Sequence, residues 1–180
     1  MALLRYVAGW AFGGRAFAAS SASRTRRPFT TMASAKADVM DGWSAANKAT
    51  FVSKYLQKQP LLVRNAFTDI QSQVKLSFDD FGELASDEDV EARIFTPKGR
   101  QYAKEYGPFT PTYIQDLQSS TNWSMLIQEV DRHIPHVADL WSKGFAFMPN
   151  WRRDDIMFSY STPGGSIGAH VDNYDVFLLQ

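Results

Sequence analysis

Residues 156–161 and 169–180 are runs of aromatic and β-branched side chains, and Pro163-Gly164-Gly165-Ser166-Ile167-Gly168 lies between them. Two such runs joined by a glycine-rich turn favour strands, because β-branched residues fit a pleated surface and proline and glycine interrupt helical periodicity. The glycine spacing also excludes two common loops. No Gly-Lys-Ser/Thr follows, as a phosphate-binding loop needs, and the Gly-x-Gly-x-x-Gly spacing of a dinucleotide site is missing. What remains is a turn in which absent side chains let the backbone pass close to another group.

Upstream the pattern changes. Ala46, Ala49, Phe51, Val52, Tyr55 and Leu56 recur at helical spacing and predict a helix over 43–57. Pro60 ends it, and Leu61-Leu62-Val63 reads as a short buried strand. Ser77 opens a second helix through Leu84, with Asp79 and Asp80 in its first turn. Residues 90–96 alternate as a strand, Gly99 marks a turn, and another short strand is expected near Tyr102. Thr121 is expected to cap a long helix over 123–141, with Leu126, Ile127, Val130, Ile134 and Val137 on one face, Trp123 in the core, and Pro135 kinking or dividing it. Helices first and strands later imply an α+β fold whose β-barrel or sandwich begins near residue 150.

Composition narrows the chemistry. The 180 residues carry 19 Lys plus Arg and 19 Asp plus Glu, so the formal net charge is zero and the electrostatic footprint of a general nucleic-acid binder is missing. With no cysteine, the chain can hold no disulfide, thiol nucleophile, cysteine-type zinc or iron–sulfur cluster. No apolar run reaches the roughly 20 residues that span a bilayer.

Three histidines exist: His133, His136 and His170. His133 and His136 lack the glutamate and spacing of a zinc-protease helix, and Pro135 lies between them, so a solvated or capping role is expected. His170-Val171-Asp172 differs. On a strand, residues two apart project from one face, so an imidazole and a carboxylate converge. They make two-thirds of the 2-His-1-carboxylate triad that leaves three positions open on non-haem iron(II). Alone, His-x-Asp also arises by chance.

The whole stretch 161–180, Ser-Thr-Pro-Gly-Gly-Ser-Ile-Gly-Ala-His-Val-Asp-Asn-Tyr-Asp-Val-Phe-Leu-Leu-Gln, resembles the metal-binding segment of the JmjC-type ribosomal oxygenases. Tyr106-Gly107-Pro108-Phe109, Thr121-Asn122-Trp123-Ser124 and Trp151-Arg152-Arg153-Asp154-Asp155 resemble landmarks of the bacterial branch, the ribosomal-protein arginine hydroxylases, so the likeness extends over 43–180. It implies a JmjC/cupin double-stranded β-helix that uses Fe(II) with 2-oxoglutarate and O2 as cosubstrates to hydroxylate a ribosomal protein, most simply at arginine. His170 and Asp172 map onto the first two iron ligands, and Ser159 onto a position lining the 2-oxoglutarate pocket. In the family the third ligand, a distal His, and the basic residue that pairs with 2-oxoglutarate both lie beyond Gln180. The expectation is therefore a fragment that alone binds iron weakly and turns over little. Relatives pair through a region further on, so a homodimer is expected of the full-length protein; no direct nucleic-acid or membrane partner is expected.

Two other functions stay open at this point. The eukaryotic branch of the family carries histidyl hydroxylation or histone lysine demethylation in the nucleus. A third reading, of another class, is a non-catalytic interaction module using the helical face around 121–141.

The first forty residues form a separate region. Arg5, Arg15, Arg24, Arg26 and Arg27 stand among Ser, Thr and Ala, and no acid precedes Asp38. That is the composition of an organellar transit peptide, mitochondrial ahead of plastid. Starts at Met32 or Met40 would remove it and leave the protein nuclear or cytosolic. The expected domains are thus a leader over 1–40, a mixed N-terminal part over 41–148 and the start of the barrel over 149–180.

Overall fold

A computed structural model describes residues 2–8, 37–68, 74, 76–99, 101–170, 172 and 174–179, with 2–8 as backbone only. Most of the expected leader lies outside the described residues. The chain divides into two compact units, Ala11–Ala66 and a larger one made of Met1–Trp10 with Phe67–Gln180.

The smaller unit is a β-α-β crossover. Strand β2 (Asp38–Asp41) pairs in parallel with β3 (Leu61–Arg64), and helix α1 (Ala45–Thr50) continues into a π-helical turn, Phe51–Tyr55. The helical spacing thus describes 45–55. Ser44 caps α1 by accepting from the Asn47 amide, and the Asn47 side chain donates to the carbonyls of Asp41 and Gly42 at 2.8 and 2.9 Å. The first bond satisfies an amide that the helix start would otherwise leave open, and the other two tie α1 to the end of β2.

The larger unit is built on a six-stranded sheet. Strand β1 (Ala2–Ala8) lies antiparallel between β7 (Asp155–Ser161) and β8 (Asp175–Leu179); beyond β7 follow β6 (Ser124–Ile127), β4 (Ala92–Lys98) and the edge strand β5 (Gln101–Tyr106). Helix α2 (Phe78–Ser86) begins as expected at Ser77, whose hydroxyl accepts from the Asp80 amide while the Asp80 carboxylate accepts from the Ser77 amide. Such a capping box typically contributes about 1 kcal/mol.

Helix α3 (Pro111–Gln118) follows the β4–β5 hairpin. The indole of Trp123 donates to the Leu117 carbonyl at 2.9 Å and is buried, as expected of a core residue.

Two expectations fail here. The sheet does not begin near residue 150, because β4, β5 and β6 precede it. The long helix over 123–141 does not exist either. Residues 124–127 form β6, and only then come α4 (Val130–His133) and α5 (Pro135–Gly144). All four residues of β6 are buried, so apolar side chains occupy both faces and the sequence shows no alternation to mark a strand. Thr121 caps nothing here. Helix α4 starts instead from Glu129, whose backbone is left-handed (φ 54°) and whose amide donates to the Asp155 carboxylate at 3.0 Å. Pro135 does divide the helical stretch, as expected, and stands at the start of α5.

The supposed docking face is also core: Leu126, Ile127, Val130 and Val137 are each at most 3% exposed. That removes the ground for an interaction module at 121–141.

The register sorts the sheet into two faces. Ala92, Ile94, Met125, Ile127, Phe158 and Tyr160 share one, against which Phe81 of α2 packs, 6.1 Å from Phe158 and 5.6 Å from Tyr160. Trp123 stacks on Tyr160 at 5.5 Å. Each aromatic pair of this kind is worth roughly 0.5–1.5 kcal/mol beyond its buried area. Arg93, Phe95, Ser124, Leu126, Met157, Ser159 and Ser161 lie on the other face.

Candidate functional site

The segment leaving β7 is fastened to the chain around Trp123. The Trp123 amide donates to the Thr162 hydroxyl, the Thr162 amide donates to the Trp123 carbonyl, and the Asn122 amide donates to Pro163, each at 3.1 Å. At Gly165 a Cβ would sit 2.1 Å from the Trp123 carbonyl oxygen, so only glycine passes. The close approach that Gly165 allows is thus to the Trp123 backbone, while Gly164 and Gly168 lie against the Asn122 and Tyr102 side chains rather than against His170 and Asp172.

Gly168 then turns with φ +82°, and its amide donates to the Ser166 hydroxyl at 3.0 Å. Two residues on, His170 Nδ1 lies 3.0 Å from the Gly168 carbonyl oxygen. A carbonyl only accepts, so the neutral ring carries its hydrogen on Nδ1 and leaves the lone pair of Nε2 free. This is the outer support typical of a metal-binding histidine.

His170 Nε2 faces Asp172 Oδ2 at 3.5 Å. In that tautomer the Nε2 lone pair and Asp172 Oδ2 face one another. Such a pair is electron-rich and suits a cation. Both side chains remain open to solvent, 41% and 36% exposed.

Among the described residues the expected strand is not formed at this point: His170 and Asp172 lie outside any strand, and β8 begins at Asp175. The convergence that a strand would have provided comes from the Gly168 turn and the Nδ1 hydrogen bond. Among the described residues, no group of three or more metal-ligating side chains forms. Ser159 lies on β7, 2% exposed, on the sheet face that carries Leu126 and Met157. His133 is half-buried in the last turn of α4 and His136 is exposed.

Sequence reasoning passed over an acidic neighbourhood beside the pair. Asp155 is 4% exposed, and burial, reinforced by Asp154, Asp131 and Glu129, pushes its carboxyl above the usual range although the Glu129 amide opposes this. Burial first, then the charges of Asp172, Asp155 and Asp154, hold the Tyr174 phenol up as well, with Arg93 acting the other way. Tyr174 therefore stays a hydrogen-bond donor. Asp131 joins the elements, accepting from the Ile156 amide at 3.0 Å and the Trp141 indole at 2.9 Å. The signal was present in Asp154-Asp155 and in Tyr174, close after the His-x-Asp pair, but only the fold brings them together.

A sheet carrying a Pro-Gly loop and a His-x-Asp pair is the beginning of a JmjC-type oxygenase domain, and the JmjC domain family matches residues 140–180. A probable ribosomal oxygenase of Haemophilus influenzae is 42% identical over 131 residues, covering 72% of this chain and 31% of the relative. The ribosomal protein uL16 3-hydroxylase of Escherichia coli is 34% identical over 135 residues, covering 74% of this chain and 34% of the relative. The E. coli ribosomal oxygenase YcfD, solved with cobalt and 2-oxoglutarate, superposes with a TM-score of 0.63 at 33% identity, covering 71% of this chain and 34% of that one. The chain belongs to the JmjC-type ribosomal oxygenases and has their cupin fold. It spans about a third of the length of the relatives it matches.

Proposed function

We propose that this chain forms part of an iron(II)- and 2-oxoglutarate-dependent hydroxylase that acts on an arginine of a large-subunit ribosomal protein. The observation that carries the reading is the His170–Asp172 pair, whose Nε2 and Oδ2 converge while Nδ1 is held by Gly168. One nitrogen and one carboxylate donor, supported from behind and open in front, fit a borderline divalent metal such as iron(II). His170 and Asp172 would hold it, together with a further ligand not found among the described residues. When bound, iron with 2-oxoglutarate and O2 supplies the oxidation that turns a C–H bond into C–OH and releases succinate and CO2.

The protein's own groups set what reaches that point. His170 is oriented by Gly168, so its free nitrogen need not reorganise. Ser159, carried to the 2-oxoglutarate pocket by the family resemblance, lies on the sheet face that carries Met157. Asp154, Asp155 and Asp172 give the surroundings a negative potential, and Tyr174 adds a neutral donor. A guanidinium is favoured there. This supports arginine as the target, and the uL16 named for the E. coli relative is the substrate to try first.

The test supplies the full-length protein with Fe(II), 2-oxoglutarate and uL16, and follows succinate release and oxygen gain on one arginine. The reading predicts both, coupled. Succinate without substrate oxidation would exclude uL16, and neither product would exclude the oxygenase.

The leader's composition supports delivery to mitochondria, whose ribosomes are of bacterial type. Cleavage downstream of the arginine-rich stretch would also remove β1 from between β7 and β8. Sequencing the mature N-terminus of imported protein decides between the two: a start beyond Arg27 supports the leader, and an intact Met1 contradicts it and keeps β1 in the sheet.

A further inference from the structure

The β4–β5 hairpin places a second recognition surface beside the His170–Asp172 pair. Tyr102, Lys104 and Tyr106 alternate along β5, and the register sets them opposite Pro97, Phe95 and Arg93. They therefore share the sheet face that carries Ser159, Leu126 and Met157, not the face packed by α2. As the edge strand, β5 leaves one side of its backbone unpaired in the sheet.

A recess of about 440 Å³ opens where this stripe meets the segment approaching His170. Phe95, Ile167 and Ala169 supply apolar lining, and Gln101, Tyr102 and Lys104 supply the rest. Phe95 and Ile167 rest on Leu126 and Met157, so this floor is fixed by the core. The Tyr102 ring lies against Gly168, with its Cδ2 3.3 Å from where a Cβ would project. Ala169 precedes His170 directly, so the recess adjoins the reacting position.

The charge along the surface is uneven. Asp154, Asp155 and Asp172 stand at one end, and Lys104 stands at the hairpin end. Its ammonium lies over the Tyr106 ring, 4.9 Å from the centroid. No carboxylate pairs with it among the described residues, and neighbouring Glu105 is held by the Tyr113 hydroxyl at 3.2 Å.

We propose that the recess between β5 and Ile167–Gly168–Ala169 is a second substrate subsite, taking an apolar side chain of the target polypeptide while Lys104 pairs with a carboxylate beside it. The inference rests on the reading of His170 and Asp172 as the reaction centre. A polypeptide that presents a cationic residue to the acidic end carries its flanking residues over β5. There an apolar floor and one free ammonium select an aromatic or aliphatic residue next to Asp or Glu. Among the described residues one exposed lysine lies on this face of the hairpin, too little for a phosphate backbone, which favours a polypeptide over nucleic acid. The open side of β5 offers backbone hydrogen bonds to such a segment in extended form.

The test uses the full-length protein and two labelled peptides that differ at one position. Each carries one arginine and, further along, either Phe-Glu or Phe-Lys, with the spacing varied. Fluorescence anisotropy gives their affinities for wild type, Lys104→Glu and Tyr102→Ala, and thermal melting checks the fold of each. At the best spacing, wild type should prefer Phe-Glu by about 2–5-fold, the size expected of an exposed ion pair. Lys104→Glu should reverse that preference, and Tyr102→Ala should weaken both peptides alike. Equal affinity for the two peptides at every spacing would overturn the subsite, as would a preference that survives Lys104→Glu. Cobalt(II) binding to the same samples reports the His170–Asp172 pair separately. A reversal without metal binding keeps the subsite and removes the oxygenase reading; metal binding without a preference does the opposite.

Discussion

The two faces of β7 obey different rules. Ile156, Phe158 and Tyr160 point into an interlocked layer with Phe81 and Trp123, where nearly every group is apolar and covered. Asp155, Met157, Ser159 and Ser161 point the other way, into a layer where polar groups are buried or hydrogen-bonded. The first face holds the fold and the second presents chemistry. On the second face Ser124 and Ser161 share a hydroxyl hydrogen bond at 2.8 Å and Asp155 accepts from the Glu129 amide, whereas the buried Arg93 Nε has, among the described residues, only Glu91, at 3.4 Å. The contrast predicts that damage on one face lowers stability, whereas damage on the other changes binding.

The largest effect is expected from the packed face. Trp123→Ala removes a fully buried ring and its bond to Leu117, and should lower the unfolding free energy by about 3–5 kcal/mol in denaturant titration. A loss under about 1 kcal/mol would show that the aromatic layer does not hold the sheet.

Next comes the proposed metal pair. His170→Ala and Asp172→Ala in the full-length protein should cut divalent-metal affinity by more than the roughly 10–100-fold that loss of an outer support costs. Their melting temperatures should stay at the wild-type value, because both side chains are substantially exposed. Unfolding of either variant would make the pair structural.

Asp155→Asn tests the cost of a buried carboxylate. The folded carboxyl is raised, chiefly by burial, so its favourable contribution is present below the ordinary carboxyl value of about 3.9 and is lost as pH rises through the raised one. The variant keeps an acceptor for the Glu129 amide but carries no charge. It should melt higher than wild type at neutral pH, and the gain should vanish towards pH ~4. It should also bind an arginine peptide more weakly. A gain that grows on acidification would reverse the sign of the argument.

The smallest effect is the cap. Ser77→Ala should cost about 1 kcal/mol in urea titration. Ser77 hydrogen bonds hold the Asp80 carboxyl below its usual value, so this support is present above the ordinary pKa and fades as pH falls through the lowered one. A Ser77→Ala penalty unchanged between neutral and strongly acidic pH would contradict the bond from the Ser77 hydroxyl to the Asp80 carboxylate.

Local signals were legible wherever local chemistry decided the outcome. Ser77 with Asp80 announced a helix start, Pro135 a division, and Pro163 to Gly168 a loop. Strand β6 was not legible. Its four residues are buried on both faces, so tertiary contact overrides a coincidental helical spacing of Leu126, Ile127 and Val130. The His-x-Asp pair was found for its residue types and spacing, but its support was invisible: a carbonyl two residues back and a Gly168 turn have no signature of their own. Asp155 and Tyr174 were missed for a related reason. They are 19 residues apart, and only the path from β7 to β8 makes them neighbours of one charge cluster.

The central claim is that His170 and Asp172 together bind a divalent metal that engages 2-oxoglutarate. Cobalt(II) titration of the full-length protein, followed by visible absorption, tests it directly. The account predicts a saturable ligand-field band that shifts when 2-oxoglutarate is added and is lost in Asp172→Ala. A band that ignores 2-oxoglutarate, or that persists unchanged without Asp172, would contradict it.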